Sequence, residues 1–375
     1  MPTGRTAERP AVDVAASEAH ASAATLHLDR IRWNVDAALG QFMDAQAGQA
    51  ADECLPPLIE VIRGFVSGGK RLRPLFCVCG WVAAGGDVAA PAVFRVGAAL
   101  ELFHAFALIH DDVMDASAYR RGAPTVHRLL AQRVEERHGV ATAERFGESA
   151  AILVGDICLV WSDELLHDSG VSPERLSGSR LFLNAMRTEI MAGQYLDVET
   201  GESGPSDELD RAWRVIRHKT AAYTVTRPLQ IGAALAGAEE SLLQACDAYG
   251  SPLGEAFQLR DDLLGVFGNP SVTGKSDLED LRDGKRTVLV TLARQQATPG
   301  QGAALDELYG NPELGEEGAD RLREIIRQTG AEDVVENMIR VRRDRALGAL
   351  ERAPVTEPAR RSLAELAETA TRRQR

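Results

Sequence analysis

ELFHAFALIHDDVMDASAYRRG, residues 101–122, joins an apolar run to three aspartates and two adjacent arginines. The part LFHAFALI is apolar on nearly every side, which predicts a helix that lines a buried cavity instead of facing water. With Leu100 to Ala116 as one helix, Asp111 and Asp115 lie at i and i+4, and Asp112 and Asp115 at i and i+3, so the carboxylates share a face. Like charges at that spacing repel unless a cation offsets them. Hard divalent cations take oxygen ligands, and Mg²⁺ binds one or two carboxylates while leaving positions for substrate phosphates. Arg120 and Arg121, just past the helix end and before Gly122, set two guanidinium groups where phosphate oxygens can be gripped.

Outward from that stretch the pattern stays helical. Leu26, Ile31, Val35 and Leu39 recur at near-helical spacing, and Val93, Val96, Ala99, Leu100 and Phe103 do so again. No alternating run of β-branched residues bounded by Asn-Gly or Asp-Gly marks a strand. Turn signals at Gly68-Gly69, AAGGD (83–87), GVSP (170–173), TGESGPSD (200–207) and GNPSVTG (268–274) separate helices and are too short for domain linkers. The expectation is an all-α, single-domain bundle of ten or more helices over residues 25–370. Residues 1–24, rich in Ala, Ser, Glu and Pro, read as a disordered leader, and 371–375 as a basic, frayed tail.

A chain of 375 residues with 45% hydrophobic content can build one large core or two modest ones. A formal net charge of -13 argues against nucleic acid, whose binding relies on Lys and Arg, so phosphate chemistry must use local basic clusters. The five cysteines, Cys54, Cys77, Cys79, Cys158 and Cys246, sit mostly in apolar runs and read as reduced core thiols. No run reaches the roughly 18 apolar residues of a membrane-spanning helix, and Asp156 interrupts AAILVGDICLVW. A cytoplasmic protein without a membrane span is expected.

Two further clusters carry charge. In SGGKRLRPLF (67–76) two glycines free the backbone, three cations follow, and Pro74 is placed to begin the next helix. Such a loop suits an anion, without the spacing of a nucleotide-binding P-loop. In FQLRDDLLGVFGNPSVTGKSDLEDLRDGKRT (257–287), Asp261 and Asp262 follow an aromatic-led helical run as Asp111 and Asp112 do, and Lys275 and Lys285 come after them. Two carboxylate sets facing one another across a cavity, with cations between, make a site for pyrophosphate and Mg²⁺.

GGKRLRP, DDVMD followed by RRG, GQYLD, HKTAAYT, and FQLRDD followed by GK and DGK together resemble the trans-isoprenyl diphosphate synthases, or polyprenyl synthetases. The resemblance spans residues 50 to 295. It implies an all-α bundle around a deep central cavity, assembled as a homodimer. It implies that Lys70, Arg73, His104 and Arg121 hold isopentenyl diphosphate. Asp111, Asp112 and Asp115 then ligate two Mg²⁺ ions that grip an allylic diphosphate, which is dimethylallyl, geranyl or farnesyl diphosphate. Asp261 ligates a third ion, and Arg120, Lys219, Lys275 and Lys285 neutralise the same leaving group. Thr220 and Gln258 match positions that line the cationic part of the substrate.

His110 points about 100° away from Asp111 on a helix, so it reads as a packed or hydrogen-bonded histidine. Gln194 and Asp197 in GQYLD match a family motif and read equally as supports of the cavity or as direct contacts, and Glu189 and Glu199 read as solvated helix charges. The chain departs from the family pattern at DDLLG, with Gly265 where the second motif normally ends in aspartate.

Product length in this family is set by side chains before the first carboxylate motif. Phe106, five residues before Asp111, lies about 7.5 Å deeper along the helix. With small Ala107 beside it, and Phe103 a turn further down, the pattern resembles geranylgeranyl (C20) synthases, with C15 and C25 as the neighbouring expectations. A class I terpene cyclase shares the metal-triggered ionisation, but GGKRLRP and Arg121 argue against it. Intact Asp111, Asp112, Asp115 and Lys70 argue against a non-catalytic partner subunit.

Overall fold

The apolar run before the first aspartates becomes the long helix α4, Pro91–Met114, in a computed structural model that describes residues 26–49, 55–199, 205–268 and 278–372. Lys275, Cys54, the 1–24 leader and the last residues of the basic tail lie outside the described residues. Three helices precede α4: α1 (Leu28–Gln49), α2 (Leu55–Val66) and α3 (Leu72–Ala83). After it come α5 (Val126–His138), α6 (Val140–His167), α7 (Pro173–Val198) and α8 (Pro205–Val215). A π-helical segment, Ile216–Thr226, runs straight on from α8 and leads into α9 (Arg227–Leu235) and α10 (Glu240–Phe267). The chain closes with α11 (Glu279–Asp283), α12 (Val288–Gln296), α13 (Pro299–Leu308), α14 (Glu316–Gln328), α15 (Ala331–Arg352) and α16 (Glu357–Thr371). The all-α single-domain expectation holds.

Among the described residues the one exception is a small antiparallel ribbon, β1 (Tyr119–Arg120) with β2 (Ala123–Pro124), paired Arg120 to Ala123. The two residues between, Arg121 and Gly122, both have positive φ, 53° and 77°. That is the backbone a two-residue type I′ hairpin needs. With no alternating strand pattern around it, a hairpin this short leaves no periodic trace in sequence.

Helix α4 packs chiefly on α6 and also on α3 and α1. Val35, Val93, Val96, Ala99, Leu100 and Phe103 meet in one apolar cluster that takes in the first half of the chain, α10 from Leu242 to Phe257, and parts of α15 and α16. A second cluster gathers α12 to α15 against Ala256, Leu259, Leu263 and Val266 of the same α10. So α10 has one face in each core, and the cavity opens beside it. Among the described residues α4 alone is long and apolar enough to cross a membrane, and 72% of its most apolar window is buried within the protein. A buried core helix passes the same length test.

Helix α3 begins at Leu72, two residues before Pro74. Proline is tolerated there because the first N–H groups of a helix have no intrahelical acceptor. Cys77, Cys79, Cys158 and Cys246 are free and buried. Burial pushes the Cys77, Cys158 and Cys246 thiols up to about 12, which keeps them protonated and inert.

Candidate active site

A single large cavity of about 1250 Å³ collects most of the residues singled out from sequence. Lys70, Arg73, His104, Arg120 and Arg121 reach it from the 69–73 turn, α4 and the ribbon. Phe106, Ala107 and Asp111 line it from α4; Lys219 and Thr220 from the π segment; Gln258 and Asp261 from α10; and Lys285 from the turn after α11. Asp112, Asp115 and Phe103 are absent from its lining. Asp115 instead faces a smaller adjoining cavity with Asp197 and Lys285.

Each carboxylate of the first motif is met by a cation from elsewhere in the chain. Lys219 donates to Asp111 Oδ1 at 2.9 Å and to Asp197 at 2.5 Å. Gln194 Nε2 donates to the same Asp111 oxygen at 2.9 Å. Lys285 reaches Asp115 at 3.0 Å. Arg120 Nε donates to both oxygens of Asp112 at 2.8 Å, and its Nη2 lies 3.5 Å from Asp111. Burial alone would raise the Asp111 carboxyl, but Lys219, Lys285 and Arg120 outweigh it and hold the group at about 2. Asp112 is only 1% exposed, and there burial wins over Arg120 and raises the carboxyl. The positive partners Arg120, Lys219 and Lys285 are all raised despite burial, because acids surround them.

A second cation set stands apart from those aspartates. The 68–73 turn is wound left-handed at Gly68, Gly69 and Arg71, with φ 68°, 96° and 51°. It splits its three cations between two jobs. Arg71 is buried and pairs with Glu101 at 2.8 Å, with Asp36 at 2.7 Å and with the Val66 carbonyl. Lys70 and Arg73 face the cavity. Arg73 stacks on the Tyr223 ring at 4.0 Å and donates to Thr224 at 2.8 Å, yet among the described residues its buried Nε finds no acceptor. A buried guanidinium N–H without an acceptor fits an anionic ligand. Arg121 lies against Gly69, its Nη1 3.4 Å from where a Cβ would stand.

His104 Nδ1 is 2.5 Å from the Tyr223 hydroxyl. Burial, reinforced by Arg73, Arg121 and Arg120, holds the imidazole well below its ordinary value of 6.5. Burial also pushes the Tyr223 phenol up, so it keeps its proton and is able to donate to Nδ1. With the phenol as donor, the hydrogen of the neutral ring sits on Nε2.

The π segment carries Lys219, Thr220 and Tyr223 onto one wall. Two glycines let it approach its neighbours. A Cβ at Gly193 of α7 would come 2.4 Å from the Lys219 nitrogen, and one at Gly254 of α10 would come 2.6 Å from the Ala221 Cα. Across from Lys219, Gln258 Nε2 donates to Asp262 at 2.8 Å. Burial raises the Asp262 carboxyl to about 7 in spite of that bond.

His110 is hydrogen-bonded, its Nε2 3.0 Å from the Ile152 carbonyl, as expected. Glu189, expected as a solvated charge, is held by Arg227 through two N–H groups. Sequence reasoning gave no role to Tyr223 or Arg71, although both stand inside the quoted motifs HKTAAYT and GGKRLRP. Among the described residues no three acidic, histidine or cysteine side chains converge to bind a metal by themselves. A hard cation bound by one or two carboxylates and completed by phosphate oxygens needs no such cluster, so the donor set fits Mg²⁺.

A helical cavity with acid-cation pairs on one part of its wall and a separate guanidinium cluster on another defines an isoprenoid-synthase fold, and solved structures bear this out. The chain belongs to the polyprenyl synthetase family, whose family model matches residues 56–328. It is a prenyltransferase of that family. It is similar to a geranylfarnesyl diphosphate synthase of Aeropyrum pernix, 35% identical over 80% of this chain and 88% of that one. It is also similar to a geranylgeranyl diphosphate synthase of Methanosarcina mazei, 32% identical over 77% of this chain and 83% of that one. A structure of a geranylgeranyl pyrophosphate synthase from Corynebacterium glutamicum, complexed with isoprenyl diphosphate and magnesium, superposes with TM-score 0.87 at 41% identity, covering 93% of this chain and 100% of that one.

Proposed function

We propose that the protein condenses isopentenyl diphosphate with an allylic diphosphate in a Mg²⁺-dependent reaction and releases geranylgeranyl diphosphate, C20. The observation that carries this reading is the division of one cavity into two anion sites. One holds Asp111 paired with Lys219, with the Asp115–Lys285 pair beside it at the adjoining smaller cavity; the other gathers Lys70, Arg73, His104 and Arg121 without a metal-binding aspartate. A cyclase needs only the first.

Mg²⁺ ions, three per site, would be held by Asp111, Asp112 and Asp115 on one side and Asp261 on the other, and supply positive charge against the departing diphosphate. Arg120, Lys219 and Lys285, with Lys275, neutralise the same group. On loading they exchange carboxylate partners for phosphate oxygens, so the charges balanced internally become balanced across the ligand. Heterolysis of the allylic C–O bond sends the electron pair to the diphosphate and leaves an allylic cation. Thr220 and the amide oxygen of Gln258, whose nitrogen is taken by Asp262, face that cation. The double bond of isopentenyl diphosphate, held by Lys70, Arg73, Arg121 and the Nε2–H of His104, attacks it. A proton then leaves the neighbouring carbon for the diphosphate. No protein nucleophile is involved.

Phe106 supports the C20 assignment: it lines the cavity one and a half turns from Asp111, and Phe103 packs behind it at 5.5 Å between ring centroids. Exposed Leu153 and Val160 on α6 and Leu181 on α7 offer apolar surface for a homodimer, and a cytoplasmic location suits the water-soluble substrates. The test is incubation of the purified protein with Mg²⁺, isopentenyl diphosphate and each allylic primer, followed by identification of chain length. A C20 product confirms the reading. C15 or C25 corrects the length, and no elongation with any primer sinks the synthase.

A further inference from the structure

At Gly265, which ends DDLLG, the Asp280 side chain stands where a Cβ would be. A Cβ built on Gly265 would stand 2.0 Å from Asp280 Oδ2, 3.0 Å from its Cγ and 3.3 Å from its Cβ. A separation of 2.0 Å is far inside van der Waals contact, so the carboxylate of Asp280 fills the volume in which any side chain at position 265 would begin. Asp280 comes from α11, a separate element beyond the end of α10, and lines the same cavity as Asp261, Asp262 and Gly265. Residues 261 and 265 are one turn apart on α10 and share its face. A carboxylate is therefore present one turn beyond Asp261; it is delivered from a different helix.

Asp280 acts on Lys285 and Tyr309 through its charge but is not hydrogen-bonded to either. Asp262 is engaged by Gln258, and Lys285, five residues beyond Asp280, is engaged by Asp115. Among the described residues no hydrogen bond or ion pair takes up the Asp280 carboxylate, which is half-buried at the cavity edge.

We propose that Asp280 supplies the carboxylate missing from the second motif, acting with Asp261 on the divalent cation of the α10 wall, and that residue 265 is glycine because Asp280 fills its place. The proposal rests on the assignment of Asp261 made above. With the Asp280 side chain in this position, a side chain at 265 and the Asp280 carboxylate compete for one space.

Mn²⁺, counted by its free-ion paramagnetic resonance signal, can be titrated into the full-length protein with inorganic pyrophosphate, which binds without turnover. Wild-type protein should bind a set of ions, and isosteric Asp280→Asn should weaken one of them by about 10- to 100-fold while leaving the rest. Gly265→Asp alone should lower the melting temperature through the clash. The double variant Gly265→Asp with Asp280→Gly should recover both the melting temperature and the weakened ion. Unchanged ion binding in Asp280→Asn overturns the proposal, as does a Gly265→Asp protein as stable as wild type. Failure of Asp261→Asn to weaken any ion, with wild-type binding intact, overturns the Asp261 assignment instead. A loss in Asp280→Asn that the double variant does not recover would show that Asp280 merely orders α11, and overturns the exchange.

Discussion

Lys219 and Asp111, 108 residues apart in the chain, meet at 2.9 Å on the cavity wall. On the proposed function the pair is a charge held in reserve, because each member would suit one half of a magnesium diphosphate. Asp111→Ala should lower kcat by on the order of 100-fold or more, as loss of a preorganised charge partner does. Lys219 keeps Asp197, so the fold should survive, with circular dichroism and melting temperature close to wild type. Full turnover in this variant would falsify the metal assignment.

Neighbouring cations in the 68–73 turn should behave oppositely. Arg71→Leu leaves Glu101 buried without its partner, a loss of about 3–5 kcal/mol in chemical denaturation. Lys70→Ala should leave the denaturation midpoint unchanged and raise KM for isopentenyl diphosphate by about tenfold, the equivalent of one charge-assisted hydrogen bond. Steady-state kinetics with each substrate varied in turn separates this from an effect on the allylic diphosphate.

Phe106→Ala should lengthen the product by one or more isoprene units, read by chromatography of the dephosphorylated alcohols. Phe103, fully buried behind it, should cost about 3–5 kcal/mol when cut to alanine and change length only when Phe106 is also removed. A longer product from Phe103→Ala alone would move the floor of the cavity to that residue.

His104 predicts a pH dependence of stability. Its folded-state pKa lies below the ordinary 6.5, so the stability contributed by the neutral ring is fully present above that value and is lost as pH falls toward the folded-state pKa. The slope should approach about 1.4 kcal/mol per pH unit below 6.5 and flatten in His104→Gln. Denaturant midpoints measured from pH 7.5 down to 5 read the difference directly. Ring resonances should also report the Nε2–H form throughout that range.

Helical periodicity made the architecture legible because apolar residues such as Val35, Val96 and Phe103 repeat at the helix period and are all buried. The first carboxylate motif was legible because unpaired acids on an apolar helix demand an explanation. Three things left no local trace. Arg71 and Lys70 are adjacent cations in one loop, and only the left-handed turn at Arg71 sends one inward to Glu101 and the other to the cavity. The π winding of Ile216–Thr226 depends on neighbours that admit its wider turn, notably Gly193 and Gly254. Asp280 shares a space with Gly265 from a different helix, and periodicity within either helix is blind to that meeting.

Helix α10 joins the two apolar cores, with Leu253 and Phe257 in one and Leu259 and Leu263 in the other. Close packing on both sides means that neither core can shift without unseating this helix. On the proposed function, Asp261 would work as an anvil, held in place by both cores. Accommodation of a growing chain and its diphosphate would then fall to the parts mounted on slender supports, the two-residue ribbon bearing Arg120 and Arg121 and the short turn bearing Lys285.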